Sequence, residues 1–173
     1  MKVGILPMAR NKAAFFDRDG TLNVDVHYLY KKEDFVWMAG AIQTIQYCSE
    51  HGYKVIVITN QSGVARGYYT EADIQALHAW MNEDLKKHGA HIDAFYYCPH
   101  HPEGTIAEYA RTCPCRKPGT KMLDDACRDF AIDRTQSFMV GDKPLDVECA
   151  ERAGIHGVRF EGDNLFELVK EIV

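Results

Sequence analysis

A doubly wound α/β sheet with parallel strands is the fold this 173-residue chain predicts. Three observations carry that prediction. Short apolar runs rich in β-branched residues alternate with segments of helical period. Three of those runs end in polar clusters, after Phe16, after Ile58 and after Val140. In open sheets of this kind ligands bind beyond the carboxyl ends of the strands, so the fold and the clusters point to one place. The length suits a single domain, 1–173, with a substantial core.

Composition narrows the classes. Hydrophobic residues make up 46% and charged residues 26%, ordinary values for a globular protein. A net charge of -5 offers no basic footprint for nucleic acid. No apolar run approaches membrane-spanning length, so no membrane partner is expected. Met1 to Lys12 holds one short apolar run broken by Pro7 and followed by Arg10 and Lys12. It lacks a secretory core and reads as an irregular lead-in, which places the protein in the cytoplasm. A monomer is expected. Six cysteines stand at 48, 98, 113, 115, 127 and 149. In that compartment a disulfide framework is not expected. Cys48, Cys127 and Cys149 fall in helical patterns and are expected to pack as small apolar groups.

The elements follow in order. Ala13 to Phe16 reads as a buried strand. Leu22 to Phe35 has no clean period and is expected to wrap as a loop over the carboxyl end of the sheet. Ala39 to His51 is helical, with Gly52 at its stop. Lys54 to Ile58 suits a central parallel strand. Thr70 opens a helix to about His88, with Glu71 and Asp73 in its first turn and Ile74, Leu77, Met81 and Leu85 on one side. Ile92 to Tyr97 is a third strand, followed by an irregular insertion, Cys98 to Lys117. Gly119 to Phe130 is helical, and Ser137 to Val140 is a fourth strand. Pro144 opens a helix to about Ala153. Ile155 to Val158 is a fifth strand, and Asn164 caps a last helix, Leu165 to Ile172. No segment is long enough for a separate cap domain after either of the first two clusters.

The first cluster, Asp17-Arg18-Asp19-Gly20-Thr21, is the centre of the chemistry. Positions two apart in an extended chain project to one side, so Asp17 and Asp19 are expected to point together if strand geometry persists through Arg18. Two carboxylates that close need a cation between them or a shared proton. Oxygen ligands on a short loop suit Mg²⁺. One carboxylate could attack an electrophile while its neighbour moves a proton. Gly20 gives the backbone freedom for a tight exit from the strand. Taken alone, Asp-x-Asp-Gly is equally well a polar turn.

The insertion carries a second set, Cys98-x-His100 and Cys113-x-Cys115. Three thiols and an imidazole make a closed structural zinc combination, with no position left for water. His101 competes with His100 for the fourth place, and spacing favours His100 only modestly. A metal there would stiffen a loop too small for its own core, and would hold Arg116 and Lys117 where it ends.

Asp17 to Thr21 resembles the first motif of the haloacid dehalogenase phosphatases in every position. Thr59 resembles the second motif, Arg116-Lys117-Pro118 the third, and Gly141-Asp142-Lys143-Pro144-Leu145-Asp146 the fourth. The resemblance implies Asp17 as nucleophile and Asp19 as general acid/base. It implies that Thr59 binds a phosphate oxygen and that Lys117 offsets the charge of nucleophile and phosphate. It implies a Mg²⁺ held by Asp17, Asp19 and Asp142, with Asp146 in support.

Together with Cys98-Pro99-His100-His101-Pro102 and Cys113-x-Cys115, these motifs resemble a narrower family, the D-glycero-D-manno-heptose-1,7-bisphosphate 7-phosphatases. The similarity runs from about Lys12 to Phe160. It implies a small phosphorylated sugar as substrate, in the synthesis of heptose precursors for bacterial cell-surface glycans. It implies substrate contacts from Asp25, Val26, His27 and Tyr28, from Asn60, Gln61 and Ser62, and from Arg116 and Lys143. It also implies a structural Zn²⁺ on Cys98, His100, Cys113 and Cys115. Histidinol-phosphate phosphatases share the motifs and a similar loop, and polynucleotide 3′-phosphatases share the first two. A non-catalytic zinc-stapled binding module is a fourth reading, disfavoured by the intact Asp17.

Overall fold

The computed structural model describes residues 10–173. Five strands form one parallel sheet in the order β3-β2-β1-β4-β5. They are β1 (Lys12–Phe16), β2 (Tyr53–Asn60), β3 (Ala94–Cys98), β4 (Phe138–Gly141) and β5 (His156–Arg159). The helices are α1 (Ala41–Glu50), α2 (Glu71–Lys86), α3 (Lys121–Asp129), α4 (Pro144–Arg152) and α5 (Leu165–Val169). β1 is central, and its last residue, Phe16, pairs with Val57 and Val140 on either side.

Successive side chains of a strand face opposite ways, and both faces of this sheet are covered. Ala14, Phe16, Val55 and Val57 pack with Ile45, Leu77, Met81, Leu165 and Val169, from α1, α2 and α5. Ala13, Phe15, Ile56 and Ile58 pack with Leu123, Ala126, Cys149 and Ala150, from α3 and α4. That two-sided burial is why these strands read as continuous apolar runs. Cys48, Cys127 and Cys149 are buried free thiols, as expected.

Local chemistry sets the helix starts. Thr70 and Asp73 form a reciprocal capping box at α2. Asn164 accepts the N–H groups of Phe166 and Glu167 at α5. Pro144 occupies the first turn of α4. α1 begins two residues later than the sequence suggested, because Gly40 turns left-handed at φ 79° and a Cβ there would collide with Asn164.

Other boundaries also moved. β2 continues through Thr59 and Asn60, which pair with Tyr97 and Cys98. β3 starts at Ala94, because the Ile92 N–H is taken by the Asn82 side chain instead of a strand partner. α3 starts at Lys121 rather than Gly119, and α5 ends at Val169 rather than Ile172. The lead-in is not irregular throughout: Asn11 bridges to Ile132 and Lys12 already belongs to β1. Its first nine residues lie outside the described part of the chain. Among the described residues, no helix is long and apolar enough to cross a membrane.

Candidate active site

The carboxyl ends of β1, β2 and β4 converge on one cleft. β1 stops at Phe16, so the extended geometry expected through Arg18 does not persist. The chain turns instead, with the N–H groups of Thr21, Leu22 and Asn23 all reaching the Arg18 carbonyl. Gly20 turns left-handed at φ 83°, and a Cβ there would strike the Asp142 carboxylate. Glycine is what lets the first cluster close against the fourth.

Lys117 crosses from the end of the insertion to the floor of the cleft. Its ammonium donates to Asp17 Oδ1 at 2.8 Å, Asp146 Oδ1 at 2.6 Å and the Ile58 carbonyl at 2.9 Å. Burial pulls its pKa down, but the charges of Asp17 and Asp146 outweigh that and hold it above the usual lysine value. Burial pushes the Asp17 carboxyl up to about 7, against the pull of Lys117 and with a further push from Asp146. Burial and the neighbouring Asp146 raise Asp142 as well.

Oxygens of Asp17, Asp142 and Asp146 lie within 4.8 Å of one another. Asp17, Asp142 and Asp146 share one ammonium, and the Asp146 charge adds to the larger effect of burial in raising Asp17 and Asp142. A hard divalent cation fits that donor set. The Asp19 carboxylate turns elsewhere. It accepts from Arg18 at 3.1 Å, from Gln61 Nε2 at 3.0 Å and from Asn23 Nδ2 at 3.0 Å. Asp19 still lines the cleft beside Asp17.

The cleft has two adjoining hollows, of about 140 Å³ and about 200 Å³. The inner one is lined by Asp17, Lys117, Arg116 and Asp146, and the outer one by Asp25, His27, Tyr28, Gln61 and Tyr69. Asp19, Asn60, Ser62 and Lys143 border both. His27 and Tyr28 are non-glycine residues at φ 57° and 54°, strained backbone of the kind that gathers at ligand sites. Val26 is exposed and lines neither hollow. Thr59 is buried, with its hydroxyl accepting from Gln61 at 2.9 Å. Asn60 braces the insertion, exchanging hydrogen bonds with the backbone N–H and C=O of Lys117.

Arg18, Asn23 and Tyr69 escaped the sequence reading. Arg18 is fully buried and also donates to the Leu29 carbonyl at 2.9 Å and meets His78 Nε2 at 3.2 Å. Burial and the Arg18 charge hold His78 well below the usual histidine value, so it stands neutral. Tyr69 donates to Gln61 Oε1 at 2.6 Å. An arginine inside Asp-x-Asp has no periodic signature; its neighbours only appear once β1, α2 and the loop are folded together.

In the insertion, ligand atoms of Cys98, His100, Cys113 and Cys115 lie within 4.8 Å of one another. His100 is the histidine of that cluster. Its Nδ1 is 3.7 Å from Cys98 Sγ and 3.6 Å from Cys115 Sγ, close to the ~3.8 Å that tetrahedral zinc ligands keep. Cys113 and Cys115, expected as zinc ligands with no disulfide, are joined to each other by one. Zinc would need that bond reduced, and the Cys98 and Cys115 sulfurs, 2.7 Å apart, to separate. The loop has protein anchors too. Tyr109 donates to Glu71 at 2.7 Å, and the Ala65 carbonyl accepts from Thr105 and Ile106 at 2.8 and 2.9 Å.

Comparison with known proteins converges on the same chemistry. Residues 12–152 match the family model described as polynucleotide kinase 3 phosphatase. A D-glycero-beta-D-manno-heptose-1,7-bisphosphate 7-phosphatase of Rhodopseudomonas palustris is 46% identical, over 95% of this chain and 91% of its own. The alpha-named counterpart of Photorhabdus laumondii is 44% identical, over 83% and 79%. A D,D-heptose 1,7-bisphosphate phosphatase of B. bronchiseptica, solved with magnesium and phosphate, superimposes with a TM-score of 0.78 at 30% identity, covering 92% of this chain and 86% of that one. A haloacid-dehalogenase-like phosphatase of Mesorhizobium loti reaches a TM-score of 0.83 at 34% identity, over 88% and 74%.

Fold and site together define a phosphoric monoester hydrolase of the haloacid dehalogenase superfamily. Within that class, the chain belongs to the family of the D-glycero-D-manno-heptose-1,7-bisphosphate 7-phosphatases.

Proposed function

We propose that this chain hydrolyses the 7-phosphate of D-glycero-D-manno-heptose 1,7-bisphosphate through an aspartyl-phosphate on Asp17, in a Mg²⁺-dependent reaction. The observation that carries the reading is the buried Asp17–Lys117–Asp146 arrangement, with Asp142 within 4.8 Å, at the floor of the cleft. The names borne by the relatives supply the sugar.

An Asp17 oxygen attacks phosphorus in line, and the bond from phosphorus to the sugar oxygen breaks. Asp19 gives that oxygen a proton, which requires one of its own oxygens to turn away from Arg18, Gln61 and Asn23. Water then attacks the phosphorus of the acyl phosphate, Asp19 takes the water proton, and Asp17 leaves as a carboxylate. Lys117 keeps its two carboxylate partners fixed and places positive charge where the phosphoryl group arrives. Asp17 and Asp142, with Asp146 beside them, would hold a Mg²⁺ that supplies charge neutralisation on the phosphoryl oxygens. Asn60, Ser62 and Lys143, which border both hollows, would orient the sugar, with Asp25, His27 and Tyr28 at the outer end. Thr59 shapes that wall from behind through Gln61.

A reduced Cys98–His100–Cys113–Cys115 set would hold a structural Zn²⁺ and fix the insertion that delivers Arg116 and Lys117. The role in cell-surface glycan precursors and the cytoplasmic location follow from the same reading.

Phosphate release from the heptose bisphosphate by purified wild type and Asp17→Asn tests the proposal. The wild type is expected to turn over with added Mg²⁺ and the variant to be inert while folded. Substantial release by folded Asp17→Asn would remove Asp17 as nucleophile. A wild type active on 3′-phosphorylated oligonucleotides and not on the sugar would move the chain to the chemistry for which the matching family model is named.

A further inference from the structure

The turn after β2, from Ser62 to Tyr69, carries an arginine that the catalytic account leaves unused. Its backbone is clamped to the insertion. The Ala65 carbonyl takes the Thr105 and Ile106 N–H groups, and the Thr105 hydroxyl donates to the Arg66 carbonyl at 3.2 Å. Gly104 lies so close that a Cβ on it would be 2.8 Å from the Ala65 carbonyl oxygen. Arg66 and His101 are therefore presented to each other by two segments with no room to slide.

Their side chains meet without bonding. Arg66 Nη2 is 3.5 Å from His101 Nε2. His101 Nδ1 already accepts the Glu103 backbone N–H at 3.0 Å, so the neutral ring carries its proton on Nε2. Two donors face one another there. Among the described residues, Arg66 Nε is buried with no partner, and so is Arg116 Nη1. Arg116 lines the inner hollow beside Asp17 and Lys117, and feels the charge of Arg66. Glu103 is an acidic neighbour of His101, but among the described residues neither Arg66 nor Arg116 forms an ion pair. Unpaired buried donors are costly, and an anion accepting from Arg66 and Arg116 would satisfy both and offset the mutual repulsion that Arg66, Arg116 and His101 feel.

We propose that Arg66 and His101 join Arg116 in a receptor for a second phosphate group, the one the enzyme does not cleave. This rests on the sugar-bisphosphate reading above and adds Arg66 and His101 as specificity-determining residues. Arg66 and Arg116 present guanidinium donors to the anion and His101 adds its Nε2 proton. The insertion then selects substrate directly, besides delivering Lys117.

The test compares kcat/KM on heptose 1,7-bisphosphate and on the same sugar phosphorylated at position 7 alone. Arg66→Met should lower the bisphosphate value roughly ten- to hundredfold, the scale of a lost charge-assisted hydrogen bond, and change the monophosphate value less than about threefold. Arg66→Lys, which keeps the charge but not the fork, should fall between. His101→Asn keeps an acceptor for the Glu103 N–H and removes the Nε2 donor; a roughly threefold to tenfold selective loss is expected. Should Arg66→Met not fold, the lysine and asparagine variants decide the matter. Equal losses on both substrates, or an unchanged ratio, would overturn the inference. So would loss of non-competitive inhibition by inorganic phosphate at an unchanged ratio, which would make the site a receptor for the free ion. A wild type that does not prefer the bisphosphate would instead sink the sugar-bisphosphate reading itself.

Discussion

Asp17→Asn should make the metal-free protein more stable above neutral pH while abolishing turnover. Burial raises the Asp17 carboxyl from 3.8 to about 7. The folded state therefore binds a proton more readily than the unfolded chain, and stability from this group is full below about pH 4 and falls as pH rises to about 7. A shift of that size corresponds to about 4 kcal/mol at most, counting 1.36 kcal/mol per pKa unit. Asparagine resembles the protonated acid but is an imperfect partner for Lys117, so a gain of about 2 kcal/mol at pH 8 is the expected outcome. In a chain of this size that is roughly 4–8 °C in Tm. The assay is thermal unfolding of chelator-treated wild type and variant from pH 5 to pH 8.5. Wild type should lose stability across that window relative to the variant. Parallel curves, or a variant less stable at pH 8, would mean that Lys117 fully compensates the carboxylate and that the cluster carries no excess negative charge.

Other perturbations test separate parts of the site. Arg116→Ala should reduce kcat/KM on the heptose bisphosphate about ten- to hundredfold and on p-nitrophenyl phosphate less than threefold, and equal losses would show that Arg116 does not read a second phosphate. Gly20→Ala should cost activity strongly, because both the left-handed backbone and the approach of Asp142 forbid a Cβ; wild-type turnover in that variant would contradict the packing described here. Protein purified under reducing conditions without chelator should contain about one zinc per chain by elemental analysis, and Cys113→Ser should lose it with the sheet intact. Absence of zinc from the reduced wild type would overturn the zinc reading of the cluster.

What could be read from the sequence was what is local or periodic. The apolar runs of β1, β2 and β4, the Thr70 cap, Pro144 and Asn164 each announce themselves within a few residues. The motif residues Asp17, Lys117 and Asp142 are far apart in the chain, yet each sits where a recognisable pattern breaks. Features set by long-range packing were hidden. Gly40 shortens α1 because of Asn164, more than a hundred residues later. β2 keeps Thr59 and Asn60 because β3 is there to pair with them. The Asp19 carboxylate faces Arg18, Gln61 and Asn23 rather than Asp17, since the strand bends at Asp17. His27 and Tyr28 carry positive φ without a glycine to betray it. His100 and His101 are adjacent letters, and only the folded loop assigns one to the cysteines and the other to Arg66.

The tether between Tyr109 and Glu71 divides the insertion into two mechanical parts. The stretch before Tyr109 is riveted to α2 and to the Ala65 turn by ordinary protein contacts. The stretch from Arg111 to Cys115 is held by its sulfurs, by His100 and by the Lys121 N–H on the Pro114 carbonyl, and it leads directly into Arg116 and Lys117. Loosening that second part would leave the outer wall of the cleft standing, and Asn60, bonded to both the N–H and the C=O of Lys117, would still hold the lysine's backbone in place.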